Sequence, residues 1–193
     1  MGWFKYLMVY TFGFLMGVSV IHFKAPECVE QTIIVEARVQ ELTKFIKASN
    51  RTVSDKTARE YAKYYLDAEK ESDVNALLLA TMGKFESNHN PGLMSTMGAI
   101  GMQQIMPVYW VGVVPFINSA HELFDPRLNI RASAWIVSHY REICGVSVAA
   151  IATCYHGGPG ALSRPQQSTI TYAMQVVSTF NGTARPSVFA PSF

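Results

Sequence analysis

Hydrophobic positions along the chain fall into regimes that predict different elements. Residues 6–23, YLMVYTFGFLMGVSVIHF, are 18 consecutive positions without a formal charge when His22 is neutral. A helix of that length, at about 1.5 Å per residue, reaches ~27 Å and suffices for the hydrocarbon core of a bilayer. Trp3 and Tyr6 suit the headgroup layer. The following HFKAPECVEQ offers no convincing small-x-small cleavage site, and Glu27 stands before Cys28 where a lipobox needs a small residue. The pattern therefore predicts an uncleaved transmembrane helix within residues 1–24. Residues 29–49 are amphipathic, with Val35, Val39, Leu42 and Ile46 at helical spacing. They predict a stalk helix and linker over 25–53, lying against the globule or a neighbour. Ser54 is a good N-cap for the next helix, whose stripe is Ala58, Tyr61, Tyr65 and Ala68. Asp73 precedes the apolar run from Val74 to Leu79 and reads as that helix's N-cap.

Charge sharpens this division. The 193 residues carry 16 basic and 14 acidic side chains, a net charge of +2. One of these 30 lies before residue 24, 18 fall in residues 24–72 and 11 in the remaining 121 residues. Nearly half the chain is hydrophobic, which excludes the disordered classes. The near balance of sign argues against a nucleic-acid partner, which needs a clustered basic surface. Three cysteines (Cys28, Cys144, Cys154) are too few for a disulfide scaffold; one bridge, Cys144 with Cys154, is conceivable. Cys144, Cys154 and His156 lack a familiar zinc spacing, so neither a metal nor another cofactor is expected.

Beyond Ser72 the acids are Asp73, Glu86, Glu122, Asp125 and Glu142. Asp125, before Pro126, reads as a turn or helix cap; Glu142 can stay solvated, and Glu122 sits in a loop. Glu86 differs. Leu79, Met82 and Glu86 share one helical face, and Asn90-Pro91 ends the helix just after. A carboxyl partly buried in a last turn, where the dipole disfavours negative charge, keeps its proton to a higher pH. General acids need that environment. On the spacing alone, an exposed glutamate on a frayed helix end is an equal reading.

The surrounding motifs decide between them. Glu86-Ser87-Asn88-His89-Asn90-Pro91, then Ser95, then Gly98-Ala99-Ile100-Gly101-Met102-Gln103-Gln104-Ile105-Met106-Pro107 resembles the lytic transglycosylase (SLT) family with the goose-type lysozyme fold. Phe124-Asp125-Pro126-Arg127-Leu128-Asn129-Ile130 and the run from Ala149 to Gly160 are similar to two later family segments. The resemblance covers roughly residues 54–179. It implies a mainly α, lysozyme-like catalytic domain over 54–182, with at most a small β element near residues 98–104, followed by a tail over 183–193.

The resemblance further implies that Glu86 is the single catalytic carboxylate. Ser87 and Ser95 would hold the adjacent loop or meet the sugar, Gly98 and Gly101 would allow close backbone approach to a glycan, and Gln104 would hydrogen-bond in the cleft. Tyr155 would orient Glu86 or the substrate's N-acetyl group, with His156 and Tyr172 also on the substrate. Three positions depart from the family pattern: Met102-Gln103 for leucine-methionine, His156 for asparagine, and Ser168 for a glutamate. The implied function is a membrane-anchored peptidoglycan lytic transglycosylase, held in the bilayer by residues 6–23 with its catalytic domain facing the cell wall. Its partners would be the glycan strand and proteins of an envelope-spanning machine or virion. A structural or glycan-binding subunit that has lost turnover, and a hydrolase that uses water, are the competing readings.

Overall fold

The computed structural model describes residues 27–183. Seven α-helices follow in order: α1 Glu27–Ser49, α2 Asp55–Ser72, α3 Ala76–Ser87, α4 Pro107–Trp110, α5 Pro126–Cys144, α6 Val148–Gly157 and α7 Gln167–Thr183. Single 3-10 turns lie at Ala120–Phe124 and Pro159–Leu162. Where the small β element was expected there are two isolated bridges, Met94 with Ile100 and Ile100 with Ile105. Among the described residues no helix is long and apolar enough to cross a membrane. The expected anchor at residues 6–23 lies outside the described residues, as does the tail beyond Thr183.

The chain divides into two compact units, Met1–Glu36 and Ala37–Phe193. The described part of the first is the opening of α1, on which Val29, Ile33, Ile34 and Val35 are exposed. In the second unit, the rest of α1 buries Val39, Leu42 and Ile46 in one core with Ala58, Tyr61, Tyr65 and Ala68 of α2. From Val39 on, the helix expected to lie against the globule or a neighbour lies against the globule. The second half of the stalk helix supplies core to the globule, and Val35 does not continue its stripe inward.

Local capping sets the helix starts. The Ser54 hydroxyl accepts from the Thr57 amide at 3.1 Å, and the Asp125 carboxylate from the Leu128 amide at 2.9 Å. Asp73 is a correction. It is the C-cap of α2, at φ 56, and Asn75 instead caps α3 by accepting from Leu77 and Leu78 amides. Asparagine and aspartate both tolerate the left-handed region, so the apolar run alone did not say which residue would turn and which would cap. From Ala76 to Gly83 every residue of α3 is buried, as befits a helix apolar on all faces.

A disulfide joins Cys144, at the end of α5, to Cys154 on α6, with Cα atoms 6.7 Å apart. It closes a short loop directly before the helix positions of Tyr155 and His156. Reduction is expected to destabilise the domain by about 3 kcal/mol through restored loop entropy. Urea unfolding with and without a phosphine reductant checks this, as a lowered midpoint with an equal or steeper slope, because the freed unfolded chain exposes more surface.

Candidate active site

Glu86 occupies the last turn of α3. The helix stops at Asn88, whose amide bonds the Gly83 and Lys84 carbonyls while Asn88 and His89 both adopt positive φ, 55° and 58°. Termination is therefore set two residues before Asn90-Pro91. Glu86 is half-buried. Burial of its carboxyl pushes the pKa from 4.5 up to about 7, with the Tyr172 hydroxyl partly opposing this by favouring the ionised form. That hydroxyl is fully enclosed and has no partner of ordinary hydrogen-bond geometry. It is nevertheless close enough to be coupled to the Glu86 carboxylate. Burial, then the Glu86 charge, raise the Tyr172 and Tyr155 hydroxyls well above their usual range. Both tyrosines thus stay protonated beside the acid.

Ser87 and Tyr155 grip consecutive carbonyls of the loop facing α3. Ser87 Oγ donates to Met102 O at 2.8 Å and accepts from the Asn90 amide at 3.0 Å. The Tyr155 hydroxyl donates to Gln103 O at 2.8 Å and lies 3.2 Å from Ser133 Oγ. The motif serine and tyrosine therefore fix the loop relative to α3 and α6. Tyr155 influences Glu86 through its position and dipole, not through a direct hydrogen bond.

Other residues singled out from sequence are placed differently. Ser95 folds back on its own turn, its hydroxyl accepting from the Ala99 amide at 3.0 Å. Gly98 has φ 86 and open space where a Cβ would stand. Gly101, at φ 80, faces the interior: a Cβ there would come within 2.4 Å of Leu123 O and 2.5 Å of Asn129 Nδ2. Its missing side chain makes room for protein. Gln104, at φ 47, donates to the Gly101 carbonyl at 2.9 Å and lines the cleft described below.

Beneath Gly101 lies a buried polar network of Asn129, Gln103, Tyr65 and His89, none of them singled out as a site residue from the sequence. Asn129 Oδ1 accepts from the Gln103 amide at 2.7 Å, and Asn129 Nδ2 donates to Ile100 O and Leu123 O at 3.0 and 2.9 Å. The Gln103 side chain donates to Leu79 O and the Tyr65 hydroxyl, which contacts His89 Nδ1 at 3.2 Å. Burial, with the Lys84 charge, lowers the His89 pKa to about 4, so this histidine is neutral. Only their place inside the motifs, Gln103 and Asn129 above all, could have marked these residues.

A cleft of about 830 Å³ opens beside this framework. Gln104, Tyr155 and His156 form part of its wall. Glu86 is not itself a wall residue; its charge acts on Tyr155, which is one, and on Tyr172, against which the wall residue His156 packs. The His156 ring lies 4.8 Å from that of Tyr172, and its Nδ1 is 3.1 Å from Thr169 Oγ1. Partial burial lowers the His156 pKa, keeping the imidazole neutral at pH 7. A far wall is aromatic, with Trp110 set edge-on to Trp135 and Tyr140.

Among the described residues, no second carboxylate is electrostatically coupled to Glu86, whose pKa is set by burial and Tyr172. Glu122, the remaining candidate, accepts from the Asn118 amide at 2.7 Å in the capping box of the 3-10 turn at Ala120–Phe124. Among the described residues no group of three His, Cys, Asp or Glu side chains is gathered as metal ligands would be. The chemistry available is one proton donor of near-neutral pKa, two protonated tyrosines and a partly aromatic cleft whose wall holds no acid.

Comparison with known proteins agrees with this geometry. Residues 63–177 match the family described as Transglycosylase SLT domain. The fold is similar to that of an inactive mutant of the lytic transglycosylase Slt from Pseudomonas aeruginosa, at 19% identity and TM-score 0.59, covering 67% of this chain and 25% of that one. It is also similar to the 70 kDa soluble lytic transglycosylase SLT70 from Escherichia coli, at 18% identity and TM-score 0.60, covering 83% of this chain and 31% of that one. The chain thus spans a quarter to a third of the length of these two structures. The family match extends from within α2 into α7 and encloses Glu86, both tyrosines and the whole cleft wall, so the chain belongs to the Transglycosylase SLT domain family.

Proposed function

We propose that the protein is a peptidoglycan lytic transglycosylase that cleaves the β-1,4 bond between N-acetylmuramic acid and N-acetylglucosamine with Glu86 as its one acid and base. The observation that carries this reading is the Glu86 carboxyl, buried in the last turn of α3 so that its pKa rises to about 7, next to Tyr172 and coupled to Tyr155 of the cleft wall. Retaining glycosidases need a second carboxyl about 5–5.5 Å from the first, and inverting ones about 6.5–9.5 Å. Here Glu122, the other acid weighed from the sequence, accepts from two backbone amides at the start of a 3-10 turn.

A route that uses one carboxyl fits this arrangement. Glu86 gives its proton to the glycosidic oxygen as the bond to C1 of the muramoyl unit breaks, and the N-acetylglucosamine hydroxyl leaves. The substrate's own N-acetyl group shields the cationic C1. The Glu86 carboxylate then takes the proton of the muramoyl C6 hydroxyl, whose oxygen closes on C1 to give a 1,6-anhydro ring. Water is not consumed and Glu86 ends protonated, ready for the next strand. Tyr172, near the carboxylate, stabilises the ionised intermediate stage, which is the charge that burial disfavours. Ser87 and Tyr155 hold the loop, Gln104 and His156 offer hydrogen bonds in the cleft, and Gly98 supplies the turn. We assign residues 6–23 the role of a bilayer anchor that keeps the domain against the wall, for local opening by an envelope-spanning machine or a virion.

Mass spectrometry of the soluble products from purified peptidoglycan tests this reading. Anhydro-muropeptides are expected. Products heavier by one water would show a hydrolase, and absence of soluble products would favour a glycan-binding subunit, the reading to which the His156 and Ser168 departures point.

A further inference from the structure

The cleft contains one formally charged wall residue, Arg164, and the mechanism above does not use it. Arg164 follows the 3-10 turn Pro159–Leu162, its amide bonded to Gly160 O at 3.4 Å, and its side chain is exposed. Two other arginines of this globule are tied to acids, Arg131 to Glu71 at 2.6 Å and Arg141 to Asp73 at 3.9 Å. Arg164 makes no ion pair or side-chain hydrogen bond among the described residues. An unpaired guanidinium on the edge of an otherwise uncharged cleft focuses its field into that cleft. Its planar donors match a carboxylate in two-pronged geometry.

A bare β-1,4 glycan of N-acetylated sugars carries no charge for such a group to meet. The ionised groups of a peptidoglycan strand sit on the lactyl branch of the muramoyl unit, as the free lactyl acid or as carboxylates of the stem peptide attached there. We infer that Arg164 is a specificity-determining residue that binds a carboxylate on this branch, so that the cleft distinguishes muramoyl strands from neutral N-acetylglucosamine polymers. The aromatic side of the cleft, with Trp110 and the exposed Tyr109, is left for the sugar faces. This inference rests on the peptidoglycan reading and adds to it which part of the strand is recognised.

The test measures binding without turnover, using the full chain with Glu86→Gln and the same chain with Arg164→Gln or Arg164→Lys added. Three soluble disaccharides are titrated by calorimetry: one with a stem peptide, one with a free lactyl acid and no peptide, and one whose peptide carboxylates are amidated. Arg164→Gln is expected to weaken the ionised ligand by about threefold to tenfold, the range for a partly exposed charge contact. Lysine should recover part of this, added salt should shrink it, and the amidated ligand should bind all variants alike. Whichever ionised ligand shows the loss identifies the source of the carboxylate. Equal affinities throughout, or an equal loss for the amidated ligand, would overturn the inference. Arginine-dependent binding without anhydro products from wild type would remove the transglycosylase reading alone. Anhydro products together with an unaffected Arg164→Gln variant would remove the inference alone.

Discussion

Replacing Glu86 by glutamine is expected to lower the release of anhydro-muropeptides by at least about 10³-fold, since one group supplies both the acid and the base step. Glutamine keeps the shape of the side chain but neither donates a proton to a leaving oxygen nor recovers one from the C6 hydroxyl. The pH profile of wild type carries the same information. The first step needs the protonated carboxyl, so kcat/KM is expected to fall about tenfold per unit as pH rises beyond the Glu86 pKa of about 7. A profile rising through pH 8 would assign the proton to another group.

Stability separates this catalytic role from a structural one. The Glu86 pKa is raised on folding, so the folded protein keeps a proton that the unfolded chain releases between pH 4.5 and about 7. Stability contributed by the neutral acid is therefore present below pH 4.5 and is lost as pH rises through that window. Glutamine does not ionise. The variant should match wild type near pH 4 and equal or exceed it at pH 8, by up to about 3 kcal/mol. Loss of activity with unchanged or increased stability marks an acid positioned for chemistry at a cost to the fold.

The second large effect concerns Gly101. A methyl group there meets the Leu123 carbonyl and the Asn129 amide well inside contact distance, at a φ of 80°. Asn129 cannot withdraw without giving up its bonds to the Gln103 amide and to the Ile100 and Leu123 carbonyls. Strain of about 1–3 kcal/mol adds to the cost of unpairing buried groups. Gly101→Ala is therefore expected to destabilise by about 3–5 kcal/mol, a fall in Tm on the order of 10 °C. Gly98→Ala, with similar φ but nothing within 4 Å of a new Cβ, should lose only about 1 kcal/mol. Thermal unfolding of the pair distinguishes crowding from backbone conformation. Similar losses in both would deny the close approach at Gly101.

Much of the site was legible because its grammar is local. The spacing of Leu79, Met82 and Glu86, with a break soon after, placed the acid in a last turn, and α3 ends there. Ser54 and Asp125 were readable as caps because a cap is a bond across three residues. The role of Gly101 was not legible. A glycine at positive φ looks the same in the sequence whether it makes room for a ligand or for Asn129, 28 positions away. Nor could Ser95 be told apart from a sugar contact, since its hydroxyl is used by a neighbouring amide.

The sequence by itself determined the caps at Ser54 and Asp125, the apolar stripe of α2, and that one glutamate of a charge-poor region stands among ordered motifs. These follow from backbone hydrogen bonds and side-chain periodicity over a few residues. Tertiary structure alone decided that α1 joins the core from Val39 onward, that Tyr172 on α7 reaches Glu86 on α3, and that Tyr155 grips the loop between them. It also decided that Arg164 stands unpaired on a cleft. The reason is that a pKa or a cleft is set by what long-range packing excludes from water, and neighbours brought together across some eighty residues leave no periodic trace along the chain.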